Sequence, residues 1–175
     1  PIVAPLGPAA RSGTPEEAAA FGEVVQLAVP FGALAELGPR ILPAIAGKVV
    51  LDAGNPFPHR DGVAAAEAIR DGRGSGRWTA KHLPGARLVK AFNTIFWQML
   101  QTEAHRAGDR LGVPLASDDA GALEVAARLV RDAGFEPVVV GGLDRAKDFD
   151  PESPVWNRGM TARALRHHFG LPEAR

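Results

Sequence analysis

The side chains able to do chemistry in this chain are few, and their spacing excludes more than it offers. Histidines stand at His59, His82, His105, His167 and His168, none with companions at metal-ligand spacing, so no metal site is expected. Cysteine and tyrosine are absent. That removes disulfides, thiolate metal sites, a thiol nucleophile and a phenolic acid or base. Gly74-Ser75-Gly76 has the letters of a nucleophile turn, but Gly-x-Ser-x-Gly needs a strand before it and a helix after it. The run from Gly72 to Arg77 reads as a mobile loop, with Arg73 or Arg77 gripping a phosphate as the alternative. What remains is three places where an apolar run ends in small, polar or proline residues: Ala28-Val29-Pro30, Ala53-Gly54-Asn55-Pro56 and Ala91-Phe92-Asn93-Thr94. Each also has a plain structural reading. Pro30 can simply end a strand, Asn55-Pro56 favours a turn, and Asn93-Thr94 can cap a helix. No residue is nominated as catalytic.

The elements that must position these segments alternate along the chain. Thr14-Pro15-Glu16-Glu17 is a helix start, with a hydroxyl cap, proline at the first helical position and glutamate three residues after the cap. Gly22 fits a left-handed stop. Val24 to Val29 reads as a buried strand ended by Pro30. A broken helix follows, with Leu34, Leu37, Ile41 and Ile45 on one face and a kink or restart at Gly38-Pro39. Lys48 to Ala53 is the next strand. Residues 57–86 are the least regular part, with a short helix through Val63 to Ile69. Arg87 to Phe92 is a third strand, and a helix begins at Asn93-Thr94 with Ile95, Phe96, Met99 and Leu100 at helical spacing. Val113 to Ala116 is a short strand. Ser117 caps a helix that carries Leu123, Ala126, Ala127 and Val130 and stops at Gly134. Glu136 to Val140 is the last strand, and the tail ends in a helix with Leu165 and Phe169. Apolar strands alternating with helices imply an α/β fold with a mostly parallel, doubly wound sheet. In such sheets ligands sit beyond the carboxyl ends of the strands, where the three segments lie.

Composition bounds the rest. At 175 residues, 46% hydrophobic and 23% charged, the chain can bury a sizeable core. Acidic and basic residues balance at 20 each, so no net field recruits nucleic acid or a membrane surface. No apolar run reaches the length of a membrane span and no signal peptide is evident; a cytoplasmic globular protein is expected. Residues 1–143 read as an α/β domain and 144–175 as a tail with a terminal helix. Trp78, Phe96, Trp97 and Trp156 read as core aromatics, Trp97 with the option of stacking on a bound ring. His59 reads as a loop histidine or as lining a substrate pocket.

The three strand ends, in this order and spacing, resemble the NADP-binding domain of the reductases that exchange hydride with the factor-420 deazaflavin coenzyme. The similarity lies in Leu27 to Pro30, Gly47 to Pro56 and Val89 to Thr94, with Phe149-Asp150-Pro151 and Pro154-Val155-Trp156 in the tail. It implies a truncated Rossmann-like fold, with residues 1–143 a truncated dinucleotide-binding-like domain, and hydride transfer between a nicotinamide cofactor, NADP or NAD, and a second ring or small substrate, the deazaflavin coenzyme among them. It also implies that Ala28, Val29, Pro30, Asn55, Pro56, Asn93 and Thr94 bind the cofactor. Hydride transfer needs two rings held close with water excluded more than it needs an acid or base.

The family's Gly-x-Gly-x-x-Gly turn, which brings backbone amides to the pyrophosphate, has no counterpart here. Gly7-Pro8 does not supply it, since only Ile2 and Val3 could form the preceding strand. Without that unit the Val24–Val29 strand is an open edge, which invites pairing with another chain. A homodimer through that edge, an exchange of elements, or a longer gene product is therefore expected. The alternative function is a non-catalytic Rossmann-derived protein that binds or associates without the phosphate loop.

Overall fold

The computed structural model describes residues 6–173, so Ile2 and Val3 fall outside it. Helix α1 (Pro15–Phe21) opens with the expected capping box, Thr14 and Glu17 each closing on the other's backbone N–H. Strand β1 (Val24–Leu27) leads through a 3-10 turn at Phe31–Ala33 into α2 (Leu34–Ile45) and β2 (Val49–Asp52). Then come α3 (Pro58–Asp71), α4 (Ser75–His82), β3 (Arg87–Lys90), α5 (Trp97–Thr102), β4 (Gly112–Ala116), α6 (Ala120–Asp132) and β5 (Glu136–Gly141). A 3-10 segment, Leu143–Phe149, and α7 (Ala162–His168) complete the order.

The five strands form one sheet in sequence order, β1 at one edge and β5 at the other. β1, β2 and β3 are parallel, and their last residues, Leu27, Asp52 and Lys90, stand side by side in register. β4 runs antiparallel to β3 through the pairing of Lys90 with Ala116, and β5 is parallel to β4. The fold is thus α/β with a mixed, mostly parallel sheet. Strand alternation divides the core. Val50 and Leu88 face Leu34, Leu37, Ile41 and Trp78 on one side; Leu51 and Val89 face Ala122, Ala126 and Val130 of α6 on the other. A third cluster joins Val138 and Val140 to Phe149, Val155 and Leu165. Among the described residues no helix is long and apolar enough to cross a membrane.

Several local expectations give way to tertiary partners. Gly22 is extended, at φ −72° and ψ 137°, rather than left-handed. The orphan carbonyls at the end of α1 are bound instead by Lys48 Nζ, 2.8 Å from Ala19 O and 3.1 Å from Ala20 O. Helix α2 is continuous through Pro39 and Pro43. Asp119, not Ser117, caps α6 through a 2.8 Å bond from Ala122 N–H, while the Ser117 hydroxyl donates to Leu88 O at 2.6 Å. In the stretch 57–86 the short helix expected through Val63 to Ile69 is part of the longer α3, and Ser75 opens α4 where a mobile loop was expected. The helix expected at Asn93 starts at Trp97, because Phe92 adopts φ 62° and the chain turns before it can wind. That short helix buries none of its residues, so Phe96 and Trp97 are exposed while Trp78 is core.

Candidate functional site

The carboxyl ends of β1, β2 and β3 are adjacent by register, so the loops that follow them share one rim. Ala53 N–H donates to Leu27 O at 3.0 Å, tying the first two strand ends together. Asp61, on α3, then joins the loops: its carboxylate accepts Gly32 N–H at 3.0 Å and Phe57 N–H at 2.9 Å. Arg60 clasps the same carboxylate at 2.8 Å and donates to Asn55 O. Burial pushes this carboxyl up, but the Arg60 guanidinium and the two amides overcome it and hold it at about 2.

The second and third loops are joined by their asparagines. Asn55 Nδ2 donates to Asn93 O at 2.9 Å, and Asn93 Nδ2 reaches Asn55 Oδ1 at 3.3 Å and Phe149 O at 3.0 Å. Because Phe149 O can only accept, the amide orientation of Asn93 is fixed, and its buried Oδ1 is left without a hydrogen-bond partner. Trp156 Nε1 donates to Asn93 O at 3.0 Å, and Asn157 N–H to Thr94 O at 3.0 Å. Asn93, Thr94 and Pro56 are buried, Asn55 and Val29 half-buried, Ala28 and Pro30 exposed. All seven sequence-selected residues therefore belong to this rim, though their contacts with one another run through Asn55 and Asn93.

Beneath the rim lies a charged cluster. Lys90 Nζ, fully buried, sits 3.1 Å from Asp52 Oδ2 and donates to Gly54 O; Asp52 Oδ1 accepts Gly54 N–H at 2.8 Å. Asp150 accepts Ser75 N–H at 2.7 Å and pairs with the Ser75 hydroxyl, so a residue far along the chain caps α4. Gly74 permits this approach. It has φ 92°, and a Cβ there would stand 2.6 Å from Lys147 N. Ser75 and Asp150 also line a cavity of about 390 Å³ with Pro56, Phe57, His59 and Trp156. Phe57 and Trp156 meet edge to face at 5.8 Å, giving it an aromatic wall.

The two arginines considered for phosphate are occupied. Arg73 pairs with Asp71, and Arg77 with Asp118 and Asp144. His82 stacks on Trp78 at 3.8 Å. A larger recess, about 850 Å³, lies beside α7; its charges are of both signs and Arg163 there is paired with Asp109, so it favours no one class of ligand.

Asp52, Lys90, Asp61, Ser75, Asp150 and Trp156 enter the site without having been selected from sequence for a role in it. Asp52 carried a usable signal as the acidic residue ending the apolar run of β2, and Lys90 a weaker one, since β3 also carries Arg87. Asp61 carried none; Asp150 was marked only through the resemblance of Phe149-Asp150-Pro151, and its partner Ser75 is set by how the tail folds back.

No family model matches the chain, and no curated protein does. Among solved structures it is similar to a hypothetical protein from Sinorhizobium meliloti, with 26% identity, a TM-score of 0.68, and coverage of 81% of this chain and 67% of that one. It is also similar to a candidate F420-dependent NADP-reductase from Arthrobacter sp. FB24, with 24% identity, a TM-score of 0.64, and coverage of 90% and 72%. The class these likenesses define is a Rossmann-like α/β protein.

Proposed function

We propose that this chain is an NAD(P)-dependent oxidoreductase of the deazaflavin-reductase type, and that the rim of Val29-Pro30, Asn55-Pro56 and Asn93-Thr94 receives the nicotinamide end of the cofactor. One observation carries the reading: Asn93 Oδ1 is a buried acceptor with no partner at the meeting point of two of the loops. A carboxamide N–H₂ is the donor that would complete it. Thr94 adds a hydroxyl, and Val29 and Pro30 add an apolar shoulder against which a ribose can pack. A bound nicotinamide supplies hydride chemistry at C4. The chain's own part is to orient the ring, with Asn55 and Asp61 fixing the loops, and to keep water from it with Pro56, Phe57 and Trp156. The name of the Arthrobacter neighbour agrees with this reading, and the factor-420 coenzyme is the second ring it suggests.

The rival, a non-catalytic binding or association protein, is favoured by a specific feature. Asn55 and Asn93 spend their amide donors on each other's loops and on Phe149, which holds the rim together without any ligand. Titration with NADPH separates the two. A saturable change in nicotinamide fluorescence is expected; none at millimolar cofactor removes the oxidoreductase reading.

A further inference from the structure

Charge at the site does not balance. Two carboxyls, Asp52 and Asp150, and one ammonium, Lys90, are drawn together beneath the rim, and Lys90 makes its ion pair with Asp52. Asp150 is held by uncharged donors, the N–H and hydroxyl of Ser75. It is also the member of the cluster that, with Ser75, lines the 390 Å³ cavity. A serine hydroxyl can donate to a carboxylate or accept from a carboxylic acid, so this contact survives in either protonation state. Burial raises the Asp150 carboxyl above the ordinary aspartate range, against the opposing pull of Lys90 and Ser75 and with a further push from Asp52. The remaining charged or titratable groups around the cavity are His59 at its aromatic wall, and Lys147 and Glu152.

We propose that Asp150 is the proton-holding residue of this cavity and gives its proton to a two-electron organic acceptor bound there. The proposal rests on the oxidoreductase reading. Hydride delivered to a conjugated ring brings two electrons and one hydrogen, leaving a ring heteroatom negative and one proton short. The Asp150 O–H bond breaks, the proton forms the new bond to that heteroatom, and both bonding electrons stay on the carboxylate. Ser75 then donates to the carboxylate until a proton returns from water at the cavity mouth. The acceptor class is a planar conjugated heterocycle with a ring nitrogen or carbonyl that becomes basic on reduction.

The first test needs no cofactor. Infrared difference spectra of the whole protein against Asp150→Asn, taken across pH, should contain a protonated-carboxyl band missing from the variant, with a midpoint above the ordinary aspartate range. Ser75→Ala, which removes one donor to the carboxylate, should move that midpoint higher. If the band belongs to another residue, or the midpoint is that of an ordinary surface aspartate, the proposal is overturned. The second test is the rate of NADPH-driven reduction of a 5-deazaflavin. In wild type it should fall as pH rises through the infrared midpoint, and in Asp150→Asn it should be at least tenfold lower without that limb. A wild-type profile with no break at the midpoint overturns the proton role. Absence of NADPH binding overturns the oxidoreductase reading and with it the acceptor step, while the infrared result still decides whether the cavity holds a proton at Asp150.

Discussion

Lys90 and Arg87 stand at the two ends of one four-residue strand, β3, and each pairs with an aspartate. The Lys90–Asp52 pair is almost wholly out of water, at 0% and 3% side-chain exposure, whereas Arg87 and Asp119 are 40% and 37% exposed. The same chemistry therefore does different work. A buried pair is weak evidence of net stability, but breaking one half leaves a charge in a low-dielectric site. An exposed pair is screened by water and salt and contributes little. The strand end that carries the costly pair is also the end that faces the rim.

The sharpest way to break this contrast is Lys90→Met. Asp52 would keep only its bond from Gly54 N–H, and urea denaturation should register a loss of about 3–5 kcal/mol. A loss no larger than that of an exposed pair would mean the buried site is wetter than its packing implies. Asp61→Asn should come next. The folded carboxyl lies at about 2 against a reference of 3.8, so it contributes stability that is complete above its unfolded value. That contribution fades as pH falls from about 4 through 2 and amounts to about 2 kcal/mol. The variant should lose that amount at neutral pH and show a flatter acid limb; identical acid profiles would remove Asp61 as the clasp between loops. Arg87→Ala is expected to move the midpoint least, by an amount that disappears in concentrated salt. A large effect that persists in salt would erase the distinction between the two ends of β3.

The apolar runs place all five strands within two residues at every boundary, although only β2 and β4 are buried at every position. The largest offsets are two residues: the first strand, read to Val29, ends at Leu27, and the third, read to Phe92, ends at Lys90. Helix starts were legible where the cap is local, to the residue at Thr14, whose partner Glu17 is three residues away, and within two residues at α6, where Asp119 rather than Ser117 is the cap. They were not legible where the cap comes from elsewhere. Ser75 reads as loop until Asp150 arrives, and Asn93-Thr94 reads as a helix start until Phe149, Trp156 and Asn157 claim its polar groups.

From the letters alone came the α/β class, the succession of strands along the chain and the three segments that end the parallel strands, because side-chain periodicity and turn chemistry act over a few residues. Only the folded chain decided that Asn55 meets Asn93, that Asp61 staples two loops, that Lys90 pairs with Asp52 beneath the rim, and that Asp150 reaches Ser75. Those contacts join residues 29 to 75 positions apart. At such separations, which polar groups meet depends on how the helices cover the sheet, and no local pattern encodes it.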